Sequence, residues 1–248
     1  MLNVWLYSII SVIIVSLISL IGIFFVVLNN GYIKNSLLFL VSFSAGALFG
    51  DAFIHLIPES FGLGLGVKIP VYILSGIISF FVLEKFVHWR HCHVPTSKNH
   101  PHPLAFTNLV GDGLHNFVDG LIIGGSYLVN IPLGIATTLA VIFHEIPQEI
   151  SDFGVLLHAG LTKTKALMYN FASASLAILG AVLSIVLGSG IQGFGDFLIP
   201  FTAGGFIYIA GSDLLPELHK ETSPGRSFLQ LIAIISGILV MLALLLLE

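Results

Sequence analysis

Charge is scarce in this chain: Lys, Arg, Asp and Glu together make up 9% of its 248 residues, against about 25% in an ordinary soluble domain. Apolar residues make up 56%, and the mean hydropathy is +1.02. These values exclude a soluble globular fold and indicate an integral membrane protein. Cysteine is almost missing as well. Cys92 stands alone, so no intrachain disulfide can form and no thiolate cluster is available. There is no phosphate-binding Walker motif, so nothing points to nucleotide hydrolysis. No basic residue precedes the first apolar run, which is also longer than the core of a secretory leader. That run is expected to be a retained membrane helix.

The apolar segments are long and hydrophobic all round, which favours helices over barrel strands. Eight are expected, at about 3–28, 36–58, 70–88, 103–128, 132–158, 164–188, 196–218 and 226–247. The breaks between them carry Pro, Gly, Asn or charge, as at Asn29-Asn30-Gly31 and Ser223-Pro224-Gly225. Basic residues fall almost entirely on one side. Lys34 follows the first span; Lys85, Arg90 and Lys98 the third; Lys163 and Lys165 the fifth; Lys220 and Arg226 the seventh. Only Lys68 lies opposite. The positive-inside rule then makes the odd-to-even loops cytoplasmic and places both termini outside, in the cell membrane. The whole chain, 1–248, reads as one transmembrane domain.

The chain also repeats itself. Phe43-Ser44-Ala45-Gly46-Ala47 matches Phe201-Thr202-Ala203-Gly204-Gly205, and Leu56-Ile57-Pro58-Glu59 matches Leu214-Leu215-Pro216-Glu217, both at an offset of 158 residues. The second and seventh spans would cross in opposite directions. That makes the repeat inverted, a pattern shared by many alternating-access transporters. The expected fold is therefore all-α, with eight transmembrane helices in a 3+2+3 arrangement. Helices 1–3 and 6–8 form the inverted repeats around helices 4 and 5.

Two polar patches interrupt the middle spans. One is Asp112-Gly113-Leu114-His115-Asn116-Phe117-Val118-Asp119-Gly120; the other is His144-Glu145-Ile146-Pro147-Gln148-Glu149, with Asp152 a turn later. A carboxylate at mid-membrane costs about 2.5–3.5 kcal/mol on insertion scales, so such groups pair, line a cavity or bind an ion. At about 100° per residue, Asp112, His115, Asn116 and Asp119 form one stripe. His144, Glu145, Gln148, Glu149 and Asp152 form another. The short Asn130-Ile131-Pro132 turn makes the two spans antiparallel neighbours, so the stripes can face each other. Imidazoles, amides and carboxylates without thiolate suit borderline divalent ions such as zinc, iron, manganese, cobalt or cadmium. Pro147 withholds an N–H from the carbonyl of Phe143 and is expected to kink its helix. An intramembrane zinc metalloprotease is the alternative, because His144-Glu145 opens like His-Glu-x-x-His. The fifth position, however, is Gln148.

These motifs resemble the ZIP (Zrt/Irt-like) family of divalent-metal transporters over nearly the whole chain. His115-Asn116-Phe117-Val118-Asp119-Gly120 matches the family's His-Asn-x-x-Asp-Gly, and His144-Glu145-Ile146-Pro147-Gln148-Glu149 matches its His-Glu-x-Pro-His-Glu except at Gln148. The segment from Ser44-Ala45-Gly46 through Gly50-Asp51 to Pro58-Glu59 is also similar to its counterpart in the family. The resemblance implies eight helices, both termini outside, and a binuclear centre between helices 4 and 5. By it, His115, Asp119, His144 and Gln148 would hold one ion. Asn116, Asp119, Glu145 and Glu149 would hold the other, with Asp119 bridging. Metal would then enter the cytoplasm by alternating access.

Asp51, His55, Asp112, Asp152 and Asp213 are candidate pathway residues, while Glu59 and Glu217, after prolines at helix ends, are expected to be solvated. His88, His91, Cys92, His93, His100 and His102 form a His-rich cytoplasmic loop, 88–102, that could capture metal after release. Zinc or another divalent metal is expected as transported substrate, with no organic cofactor and no enzymatic activity. The expected partners are the metal ions and the lipid bilayer, with a homodimer as the candidate assembly and no nucleic acid.

Overall fold

The computed structural model describes residues 1–21, 30–62, 64, 66–88, 104–191 and 193–247. Regular structure among them is entirely helical and falls into eight rods. The first, α1, is Leu2–Ile18 with a 3₁₀ turn at Ser19–Ile21. Next, α2 runs Asn30–Gly50, continues as a π-helix at Asp51–Leu56 and ends as Ile57–Gly62. Then come α3, Lys68–His88, α4, Leu104–Val129, and α5, Ile131–His158. The sixth rod, α6, comprises Lys163–Ala174 and Leu176–Gly190, broken at Ser175. The seventh, α7, runs Phe194–Tyr208, turns to a π-helix at Ile209–Leu214 and ends as Leu215–Leu218. The last, α8, is Pro224–Leu244 with a 3₁₀ turn at Leu245–Leu247. The rods follow the eight expected segments closely. Of the His-rich loop, residues 91, 92, 93, 100 and 102 lie outside the described residues, and His88 ends α3.

Local chemistry sets the helix starts. Asn130 separates α4 from α5 and caps the latter, its Oδ1 accepting from Leu133 N–H at 2.7 Å, with Pro132 in the first turn. Thr162 caps α6 by accepting from Lys165 N–H. Pro224 opens α8, where its missing N–H has no intrahelical partner to lose.

By length and composition, five helices among the described residues are apolar enough to cross a membrane: Leu2–Ile21, Leu37–Gly62, Lys163–Gly190, Phe194–Leu218 and Pro224–Leu244. The other three are not short. At 26 and 28 residues, α4 and α5 reach about 40 Å at 1.5 Å per residue, more than the roughly 30 Å hydrocarbon core. They carry the polar stripes, and α3 carries Lys68, Glu84 and Lys85. The protein is a multi-pass membrane protein.

Glycines let three helix pairs touch backbone to backbone. A Cβ on Gly46 of α2 would lie 2.1 Å from the carbonyl oxygen of Ile234 on α8, and one on Gly237 would lie 2.2 Å from that of Phe43. The same reciprocal crossing joins α7 to α3: Gly204 would meet Ile73 O at 2.0 Å and Gly76 would meet Phe201 O at 2.1 Å. Phe43 and Gly46 sit 158 residues before Phe201 and Gly204, while Ile73 and Gly76 sit 161 before Ile234 and Gly237. The two π-helices, Asp51–Leu56 and Ile209–Leu214, are also 158 apart. A third crossing, Gly120 with Ala177 O and Gly180 with Phe117 O, clamps α4 to α6. The main apolar core lies between these pairs, with Leu48, Leu56, Ile122, Ile123, Ile199 and Phe206 at its centre.

Candidate metal centre

At mid-length α4 and α5 bring their stripes together. His115 and Asp119 are four residues apart on α4, and His144 and Glu145 are adjacent on α5. One ligand atom from each of these four residues lies within 4.8 Å of all the others. The separations are narrow: His115 Nε2 to His144 Nε2 is 3.3 Å and His144 Nε2 to Asp119 Oδ2 is 3.2 Å. His115 Nε2 to Asp119 Oδ2 is 3.5 Å, and Glu145 Oε1 lies 3.4 Å from His115 Nε2 and 3.5 Å from His144 Nε2. Ligands of a tetrahedral zinc, at about 2.0–2.1 Å from the metal, lie about 3.3–3.4 Å from one another by the geometry of a tetrahedron. The four atoms therefore outline a cage of the right size for such an ion.

The tautomer suits the same purpose. His144 Nδ1 is 3.1 Å from the carbonyl of Ala140, so the Nδ1–H donates there. That leaves Nε2, 3.2 Å from Asp119 Oδ2, as the ring nitrogen that faces the cage. The walls are apolar: Phe80 of α3 stands edge-on to His115 at 6.5 Å, and Phe206 of α7 packs beside His144 at 6.1 Å.

More oxygens surround this cluster. Asn116 donates its Nδ2 to Asp112 Oδ1 at 2.9 Å, which turns its Oδ1 away as an acceptor. That oxygen, Asp119 Oδ1, Glu145 Oε2, Glu149 Oε1 and Asn170 Oδ1, together with the cage's own Glu145 Oε1, are buried without a hydrogen-bond donor. Buried polar atoms are rarely left so. All six are acceptors, and what such a set lacks is positive charge.

Two contributors come from α6 and were missed by the sequence reading. Asn170 donates to Glu149 Oε2 and Ser173 donates to Asp112 Oδ2. They are polar, three residues apart on α6, and hence share a face. That spacing was visible in the sequence.

A cavity of about 560 Å³ opens beside the cluster. Its lining includes His115 and Gln148, then Asp112, Asp152, Asp213 and Glu217. Gln148 and Asp112 both face it, and Asn108 donates to Asp152 at 3.1 Å. Glu84 lines the far wall, where it accepts from Tyr208. Of the expected pathway residues, Asp112, Asp152 and Asp213 border this cavity. Asp51 and His55 do not: they are buried in the π-helix of α2, and His55 Nε2 pairs with Met241 O of α8 at 2.9 Å. Glu217 is exposed and paired with Lys220, while Glu59 accepts from Asn130 at 3.4 Å.

The family model described as ZIP Zinc transporter matches residues 2–105 and 102–245. The chain is 34% identical over 218 residues to zinc transporter ZIP13 of Pongo abelii, an alignment covering 82% of this chain and 65% of that protein. It is 30% identical to zinc transporter zipt-7.1 of Caenorhabditis briggsae, covering 96% and 78% of the two chains. It is 29% identical to human zinc transporter SLC39A7, covering 86% and 64%. The chain thus spans somewhat under two thirds of the Pongo abelii and human relatives.

Proposed function

This chain belongs to the ZIP zinc transporter family, and from that premise we propose that it carries divalent metal, zinc foremost, through the centre between α4 and α5. The observation that carries this reading is the cage of His115, Asp119, His144 and Glu145, whose ligand atoms stand 3.2–3.5 Å apart in the five separations given above. Iron, manganese, cobalt and cadmium fit the same donor types less selectively. A second ion would sit among the remaining oxygens: Asn116 Oδ1, Asp119 Oδ1, Glu145 Oε2, Glu149 Oε1 and Asn170 Oδ1. Asp119 and Glu145 each have a second oxygen to offer, so both could bridge. Gln148, at the cavity edge, would complete the first ion's shell from that side.

The route follows from charge. Lys163, Lys165, Lys220 and Arg226 lie just beyond the same helix ends, of α5 and α7, toward which the cavity opens. By the positive-inside rule that side is cytoplasmic, so the cavity is the exit. Its carboxylates at 112, 152, 213 and 217 draw a cation away from the histidines. Two positive charges moving inward gain about 4.6 kcal/mol per 100 mV of inside-negative potential, enough to drive uptake without a nucleotide. Protons compete with metal for the same imidazoles and carboxylates. The duplicated crossings α2–α8 and α3–α7 support an inverted repeat, and so alternating access by movement of α4 and α5 against that frame. The metalloprotease alternative requires Glu145 as a free base. Here Glu145 stands among the ligand atoms, and the relatives are named as zinc transporters.

The test is zinc accumulation in proteoliposomes under an imposed potential. Uptake that rises when the side facing the cavity is made negative supports the reading. Flux indifferent to the sign and size of the potential would exclude electrogenic uptake.

A further inference from the structure

Pro147 leaves a carbonyl to be accounted for. It has no N–H, so the oxygen of Phe143 cannot receive the usual bond from four residues on. A bare carbonyl inside a bilayer is costly. In the structure this oxygen accepts a hydrogen bond from the Ser44 hydroxyl of α2. The residue beside Ser44 reinforces the contact: Phe43 sets its ring edge-on to Phe143, with centroids 4.8 Å apart. Phe143 directly precedes His144 and Glu145, two of the four residues of the cage.

We propose that Ser44 is a positioning residue of the metal centre: by holding the carbonyl that Pro147 releases, it fixes the stretch of α5 carrying His144 and Glu145 against α2. The functional part rests on the transport reading; the contact does not. The same hydroxyl lies 2.7 Å from Leu40 O, one turn back in its own helix. A serine hydroxyl has a single proton, so Leu40 is a ready acceptor whenever α5 moves away. The bond between the helices can therefore break and reform without stranding the donor. Near the far end of the same helix pair, Asn130 reaches Glu59. The antiparallel α2–α5 packing is thus tied at the level of the site and again at the α4–α5 turn.

The mechanism predicts a specific coupling, testable by a double-mutant cycle. Pro147→Ala restores an amide that can reach Phe143 O within the helix, so it removes the need for Ser44. Zinc transport and apparent melting temperature are measured for wild type, Ser44→Ala, Pro147→Ala and the double variant, with Ser44→Thr as the hydroxyl-retaining control. Ser44→Ala is expected to slow transport about tenfold in the wild-type background and less than twofold in the Pro147→Ala background, with melting shifts that follow the same pattern. Ser44→Thr is expected to keep most of the rate. Equal losses in both backgrounds, or no loss from Ser44→Ala in wild type, would overturn the proposal. If the wild type moved no zinc, the transport reading would fall, and the melting cycle alone would still decide for or against the Ser44 contact.

Discussion

Gly204 offers a test of the close helix crossing that frames the site. A Cβ there would stand 2.0 Å from Ile73 O and 3.1 Å from Ile77 N, both backbone atoms, where ordinary contact begins near 3.4 Å. Neither atom can rotate away, so Gly204→Ala must push α7 and α3 apart by roughly 1 Å or more. Overpacking of this kind costs about 1–3 kcal/mol, offset by about 0.5–1 kcal/mol because alanine suits a helix better than glycine. Gly154 on α5 is the control, since nothing lies within 4 Å of its added Cβ. There only the helix gain of about 0.5–1 kcal/mol remains. At about 2–4 °C per kcal/mol for a chain of this size, Gly204→Ala should lower the apparent melting temperature by several degrees and Gly154→Ala should raise it slightly. The crossing also sets Phe80 over His115 and Phe206 beside His144, so Gly204→Ala should weaken zinc binding and Gly154→Ala should not. Purified protein in detergent, followed by intrinsic fluorescence and by zinc titration, gives both values. A Gly204→Ala protein as stable as wild type would show that α3 and α7 do not meet as described.

Further outcomes follow from the site and its surroundings. X-ray absorption of the zinc-loaded protein should show about four nitrogen and oxygen neighbours at about 2.0–2.1 Å and no sulfur; a six-oxygen shell would contradict the cage. Asn170→Ala removes the donor to Glu149 and one buried acceptor, so equilibrium dialysis should show the second metal equivalent weakened and the first retained. Loss of both together would place Asn170 in a purely structural role. Between α7 and α8, Glu221 is held below the ordinary carboxylate range by the Ser223 N–H at 2.9 Å and by Arg226 at 3.1 Å. A depressed carboxylate contributes its stabilisation above its ordinary range and loses it as pH falls. Protection of the Ser223 amide, its exchange rate relative to the intrinsic rate at each pH, should therefore fall as pH drops below the ordinary carboxylate range, and Glu221→Gln should abolish the change.

The helical rods were readable because each is a long apolar run, a local property of composition. The polar stripes were readable because helical periodicity places residues such as His115 and Asp119 on one face. What periodicity could not settle is which atoms meet. His144 and Glu145 are neighbours about 100° apart on a helix wheel, yet the long Glu145 side chain swings its carboxylate to the two histidines. The resemblance implies Gln148 beside His115, Asp119 and His144, and periodicity alone does not say how near its amide comes; it lines the cavity that His115 also borders. The π-helices at Asp51–Leu56 and Ile209–Leu214 were not foreseen, because a one-residue shift in hydrogen bonding leaves no mark in composition. Asn170 and Ser173 share a face of α6, but Lys163, Thr164, Lys165 and Ser175 make polar residues common in the same stretch, so the pair does not stand out from the sequence. Ser44 was noticed as part of a repeated motif, but its bond to Phe143 joins residues 99 apart, beyond the reach of any local pattern.

The most direct test of the central claim is zinc flux into proteoliposomes by wild type, Glu145→Ala, His144→Ala and Glu59→Ala. Glu59 stands far along α2 from the cage, at the α4–α5 turn. The account predicts steady uptake by wild type, loss in both cage variants, and substantial flux retained by Glu59→Ala. Undiminished flux in Glu145→Ala and His144→Ala would contradict it, since metal would then cross without passing through the cage.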